Sequence, residues 1–224
     1  MPSVTHDEPS VIAPAEGPKL PGRRNSVKQE ADCERNQLLA AAQQVLTRSG
    51  WWGFKVESVL KQARLSTRSF YRHFEKKSDL LLALLEKELG GAAVHLQRVT
   101  DTGEPPADRV RAYIAATIDM AYIEELAKPS SLFATHWREL LPEYPEAIDR
   151  CTRRMVAPLV DAIEAGRQSG AFSSPDPEAD ARAIFYLVSS MTADQAALGG
   201  ATPRTEMEHV VLPFVARALG MSES

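Results

Sequence analysis

From Asp32 to Leu219, apolar side chains recur every three or four residues, and this period constrains the fold more than any other feature. Leu38, Leu39, Ala42, Val45 and Leu46 form one stripe on a first helix over about 35–49, which Gly50 is placed to stop. Val56, Val59, Leu60 and Ala63 mark a short second helix. Ser66 is placed to cap a third, with Phe70 and Phe74 on its inner face. Ser78 is placed to cap a fourth, which runs through Leu80, Leu81, Leu84, Leu85 and Leu89 toward Val99. Five more helical segments follow at about 106–126, 130–140, 144–169, 177–198 and 204–219. Pro158 should kink the third of these, and Gly170 to Pro177 is a clear break. No stretch alternates as a strand must, and no internal repeat is present. The expected fold is all-α, with about nine helices.

A chain of 224 residues with 44% hydrophobic residues can bury a sizeable core. Its net charge of −4 conceals an asymmetry. Lys and Arg outnumber Asp and Glu more than two to one in residues 23–78, whereas acids predominate in 79–224. A basic block on an acidic body suits a polyanionic partner, although a solvated charged surface gives the same count. Residues 1–30 read as a disordered tail: Pro2, Pro9, Pro14, Pro18 and Pro21 crowd it, and Arg23, Arg24 and Lys28 close it. Such an arm could follow a DNA groove or serve as a basic linker. Met1 to Pro21 lacks the basic-then-apolar order of a secretory leader, and no apolar run suits a membrane span. Cys33 and Cys151 are too few for a disulfide framework, so a reducing cytoplasm is expected.

Residues 56–74 carry the functional pattern: two short helices joined by a tight turn at Ala63-Arg64-Leu65-Ser66, a helix-turn-helix braced by the first helix. The second of the pair shows Thr67, Arg68, Ser69, Tyr71, Arg72 and His73, with no acid among them. Hydroxyl and guanidinium groups on such a face can read base edges in a major groove.

Residues 35–80 resemble the N-terminal domain of the tetracycline-repressor (TetR) family. The resemblance rests on Arg35, Leu38, Leu39, Ala41 and Ala42, then Gly50-Trp51, Val56 to Ala63 and Leu65-Ser66. It ends on Phe70-Tyr71-Arg72-His73-Phe74, Lys77 and Leu80. It implies a DNA-binding domain over 31–77 and a helical ligand-binding and dimerisation domain over 78–224. It also implies that Thr67, Arg68 and Ser69 approach bases, that Tyr71 and His73 contact phosphates or adjacent bases, and that Lys77 holds a phosphate at a helix N-terminus. Three positions depart from the pattern. Arg64 stands where Gly is usual, Lys55 where a capping Thr or Ser is usual, and Leu60 where a small Ala is usual. Lys55 keeps a possible phosphate contact.

The remainder of the chain carries no motif of its own. By the resemblance, the last two long helices pair with a partner's in a homodimer, through surfaces that include Ala183, Ile184, Leu187, Val188, Met191 and Ala197 on one and Val210, Val211, Phe214, Val215 and Leu219 on the other. Met120, Tyr122, Phe133, Trp137, Cys151, Met155 and Phe185 are the candidate lining of a pocket for an apolar effector, or plain core. His136, Glu139 and Glu143 lack the further ligand a metal needs; no catalytic group, cofactor or metal is expected. The expected function is a ligand-responsive repressor that binds a palindromic operator in double-stranded DNA as a homodimer, away from membranes. The rival is a helical small-molecule-binding protein without DNA-binding activity.

Overall fold

A computed structural model describes residues 23–122, 136–197 and 202–221. They form α1 (Arg23–Gly53), α2 (Val56–Ala63), α3 (Thr67–His73), α4 (Lys77–Thr100), α5 (Pro106–Tyr122), a 3-10 turn over Trp137–Glu139, α6 (Pro145–Gln168), α7 (Pro177–Ala197) and α8 (Arg204–Ala218). The described residues contain no strand, in keeping with the periodicity.

Two hydrophobic cores organise these helices. The smaller gathers Leu38, Leu39, Ala42, Val45 and Leu46 of α1 with Val59 of α2, Phe70 and Phe74 around α3, and Leu80 to Leu85 of α4. Leu140, just after the 3-10 turn, and Ile148 of α6 join it. The larger gathers Leu96 of α4, Val110, Tyr113 and Ile114 of α5, Met155, Leu159 and Ile163 of α6, Val188 of α7, and Val211 and Val215 of α8. α4 therefore contributes to both cores, and Leu89 packs against each.

The structure refines several expectations. α1 begins at Arg23, so the stretch 23–30, expected to close the tail, is helical. It kinks at Gly50, whose φ of 69° only glycine adopts readily. Ser78 does not cap α4. That helix starts at Lys77, and the Asp79 carboxylate accepts the N–H groups of Glu75 and Lys76 instead. α6 spans Pro145–Gln168 with the buried Pro158 inside it, where a kink is expected. Of the helix expected over 130–140, only His136 onward is described, and there a single 3-10 turn forms. Gly166 of α6 is required by a close approach: a Cβ at that position would lie 2.0 Å from the Phe172 ring.

Candidate nucleic-acid interface

α2 and α3 are held at a fixed angle by the turn between them. Arg64 ends α2 in the left-handed conformation, φ 56° and ψ 37°. The Leu65 N–H bonds the Leu60 carbonyl and the Arg64 N–H bonds that of Lys61, the paired contacts of a Schellman turn. The turn thus keeps a glycine-type geometry with arginine in place, at a cost of about 1 kcal/mol. Leu60 is accommodated half-buried against the smaller core. α3 starts on Ser66, whose hydroxyl oxygen accepts the Ser69 N–H at 3.1 Å. Lys55 precedes α2 without a side-chain cap, as its substitution for Thr or Ser implies.

α3 buries Phe70 and Phe74 and turns Thr67, Arg68, Tyr71 and Arg72 to the surface. Tyr71 is 65% exposed, with its ring edge-on to Phe70. It packs on α3's own aromatic core and leaves its hydroxyl in solvent. Two residues expected on this face are turned away from it. Ser69 is buried, its hydroxyl 3.2 Å from that of Ser66, because it lies one turn ahead of His73 on the inner side. The His73 side chain is only 8% exposed, and its Nε2 lies 3.2 Å from Glu34 Oε2. The same carboxylate oxygen accepts a hydrogen bond from Arg72 Nη1 at 3.0 Å. Lys77 is exposed at the start of α4, its ammonium 5.7 Å above the Phe54 ring. Lys55, Thr67, Arg68, Tyr71 and Lys77 thus share the accessible surface, while Arg72 is exposed but paired.

The turn between α3 and α4 is clasped from the larger part of the molecule. Tyr144, just ahead of α6, donates its hydroxyl to the Asp79 carboxylate and lies within hydrogen-bond distance of Ser78 Oγ. Glu143 forms an ion pair with Lys76, whose ammonium also lies over the Tyr144 ring. Burial pushes the Asp79 carboxyl up, but hydrogen bonds from Tyr144 and the Lys76 and Glu75 N–H groups outweigh it and hold it below its ordinary value. The bond to Glu143 raises Lys76, and Lys76 lowers Glu143 in turn. His136 stacks on Trp51 at 5.3 Å. No motif marks Asp79 or Tyr144, and Glu143 stands out only beside His136 and Glu139 as a set too small for a metal, because the meeting of these residues depends on how α6 returns to α4. Glu34 was also missed, since an acid on an exposed helix carries no sequence signal.

The candidate effector residues do not converge as one group. Met120, Tyr122, Met155 and Phe185 pack in or against the larger core, whereas Trp137 packs against the smaller one. The Tyr122 hydroxyl is committed to the Thr202 carbonyl at 2.7 Å. Cys151 is buried, and burial pushes its thiol up. Phe133 lies outside the described residues. Among those residues, no group of three His, Cys, Asp or Glu side chains could hold a metal ion, and no helix is long and apolar enough to cross a membrane.

Residues 38–84 match the family model of bacterial regulatory proteins, tetR family, and residues 106–210 match that of the tetracyclin repressor-like C-terminal domain. The chain is 26% identical over 194 residues to the HTH-type transcriptional regulator EthR of Mycolicibacterium smegmatis, covering 86% of this chain and 88% of the relative. It is 25% identical over 158 residues to the HTH-type transcriptional repressor NemR of Escherichia coli, covering 68% and 79%. In fold it is similar to the fatty acid degradation regulator FadR of Bacillus halodurans, with a TM-score of 0.68 at 16% identity over 82% of this chain and 98% of that one.

Proposed function

The chain belongs to the tetR family of bacterial regulatory proteins and is a DNA-binding transcriptional regulator; from that premise we propose that it acts as a ligand-responsive repressor, working as a homodimer on a palindromic operator in the cytoplasm. One observation carries this reading: Thr67, Arg68 and Tyr71 stand exposed on α3, beside the exposed Lys55 and Lys77, with no acid on that outer row. Arg68 takes the role of a bidentate guanine contact, Thr67 and Tyr71 flank it, and Lys55 and Lys77 hold phosphates. The domains divide at about residue 78, with 31–77 as the DNA-binding head.

The dimer is assigned to α7 and α8, which leave Ala183, Tyr186, Val210 and Phe214 exposed while Ile184, Val188, Val211 and Val215 serve the chain's own core. Exposed large apolar groups on two adjacent helices suit a four-helix contact with a second copy. An apolar effector is assigned to the region of Met120, Met155 and Phe185. Its binding shifts α6, and the Glu143–Tyr144 clasp passes that shift to the turn beside Lys77. A ligand moves operator affinity only by its differential affinity for the two head spacings.

The test is binding of purified protein to the DNA flanking its own gene. Saturable, sequence-specific binding is expected, and Arg68→Ala should weaken it by roughly 1–3 kcal/mol without loss of folding. Lys77→Ala should flatten the dependence of log affinity on log salt by about one unit. Equal affinity for operator and random DNA, unmoved by Arg68→Ala or Tyr71→Ala, would favour the small-molecule-binding alternative.

A further inference from the structure

Among the described residues, Arg72 is the arginine of α3 whose guanidinium has an anion. Its Nη1 lies 3.0 Å from Glu34 Oε2, with 52% of the Arg72 side chain and 26% of the Glu34 side chain exposed. The carboxylate is kept in place from its other side: the buried His73 presents Nε2 to the same oxygen at 3.2 Å. Arg35, the next residue of α1, reaches over the Phe74 ring at 5.5 Å. Two successive α1 residues therefore grip the last turn of α3, and an acid stands beside the exposed cations and hydroxyls of that helix.

We propose that Glu34 is a specificity-determining residue, a built-in anion that occupies Arg72 and so withholds it from the phosphates of DNA that lacks the operator sequence. The inference rests on the DNA-binding reading of α3. A free arginine beside the groove contributes a phosphate contact on any sequence, and that contact carries no sequence information. Non-specific affinity is almost wholly the sum of such contacts, each adding about 0.9 to the slope of log affinity against log salt. Holding Arg72 on Glu34 removes one contact from that sum. Thr67, Arg68 and Tyr71, which carry base readout, have no such intramolecular anion among the contacts seen. Half of the Arg72 side chain stays open to solvent, so an operator that seats α3 fully can still draw it from Glu34.

The experiment measures affinity for a random-sequence DNA duplex across a salt series, using the full chain. Glu34→Gln removes the charge yet keeps an oxygen that can accept the His73 Nε2–H, so the α1–α3 grip is retained. The slope should steepen by about 0.9 and affinity at physiological salt should rise several-fold. Adding Arg72→Ala to Glu34→Gln should abolish both gains. Arg72→Ala alone should leave the wild-type slope unchanged, in contrast to Lys77→Ala, which flattens it; this arm stands even where Glu34→Gln impairs folding. An unchanged slope in Glu34→Gln, a gain that survives Arg72→Ala, or a flatter slope in Arg72→Ala alone would each overturn the proposal. A wild-type protein with no salt-dependent duplex binding would overturn the DNA-binding reading beneath it, a result distinguishable from any of these.

Discussion

The smaller core and the larger one are built from the same materials, Leu, Val, Ala and aromatic side chains at helical spacing, yet only the smaller is tied to a defined outer face. Around Phe70, inward positions alternate with Thr67, Arg68 and Tyr71, so the packing of seven residues of α3 decides which groups can meet DNA. Around Tyr113, packing fixes helix positions without prescribing any one surface. Substitution in the smaller core should therefore erase a function, whereas substitution in the larger one should first cost stability.

The largest expected effect breaks the smaller core. Phe70 is 2% exposed, and Phe70→Ala should destabilise the DNA-binding end by about 3–5 kcal/mol. Calorimetry and circular dichroism check this. A new low-temperature transition is expected, with DNA binding lost and most helicity retained above it. A single transition for the whole chain, moved downward, would show instead that α4 makes one cooperative unit of the two cores.

The matching lesion in the larger core is Gly166→Ala. The added Cβ would enter the Phe172 ring, so the side chain or the turn at Ser169–Gly170 must move, at about 1–3 kcal/mol. A lower denaturation midpoint with operator affinity unchanged is expected. Loss of DNA binding at temperatures where the protein is folded would mean that the larger core does dictate the head's outer face.

This contrast also explains what could be read from sequence. The inward set Leu38, Leu39, Phe70, Phe74 and Leu80 was legible because period and turn residues agree there, and α2 and α3 lie where the pattern placed them. Thr67, Arg68 and Tyr71 followed from the same period. Ser69 and His73 did not, because a seven-residue helix has no room for a wide polar face: both fall on the side toward α1. Arg64 departs from the family pattern, and its left-handed φ shows that the turn geometry outweighs the residue's own preference. In the larger core, period gave helices but not neighbours. Trp137 sits with the smaller core, and the Asp79–Tyr144 contact joins residues 65 positions apart, beyond the reach of any local pattern.

A smaller effect, opposite in sign, sharpens the account of the turn. Arg64→Gly relieves the left-handed strain and should stabilise by up to about 1 kcal/mol, less the entropy glycine adds to the unfolded chain. Chemical denaturation reads it as a higher midpoint at constant slope. No gain would show that the Schellman contacts already absorb the strain.

The smallest effect lies at the seam between the two regions, where the Asp79–Tyr144 bond and the Lys76–Glu143 pair add to the packing of Leu140 and Ile148. Asp79 is held below its ordinary value of 3.8, so its contribution is complete above that pH and is lost as pH falls through its lower folded value. Lys76 is raised above 10.5, so its contribution is complete below that pH and is lost only as pH rises through the folded value. Across neutral pH both are present. Asp79→Asn should therefore lower the melting temperature by a small, constant margin from neutral to mildly acidic pH. The margin should close as pH drops below 3.8, where the wild-type carboxyl also takes up a proton. If Tyr144 and Asp79 transmit an effector's signal, the same variant should weaken the response of DNA binding to that effector far more than it weakens the fold. A margin that persists into acid would show that the loss at Asp79 does not depend on its charge.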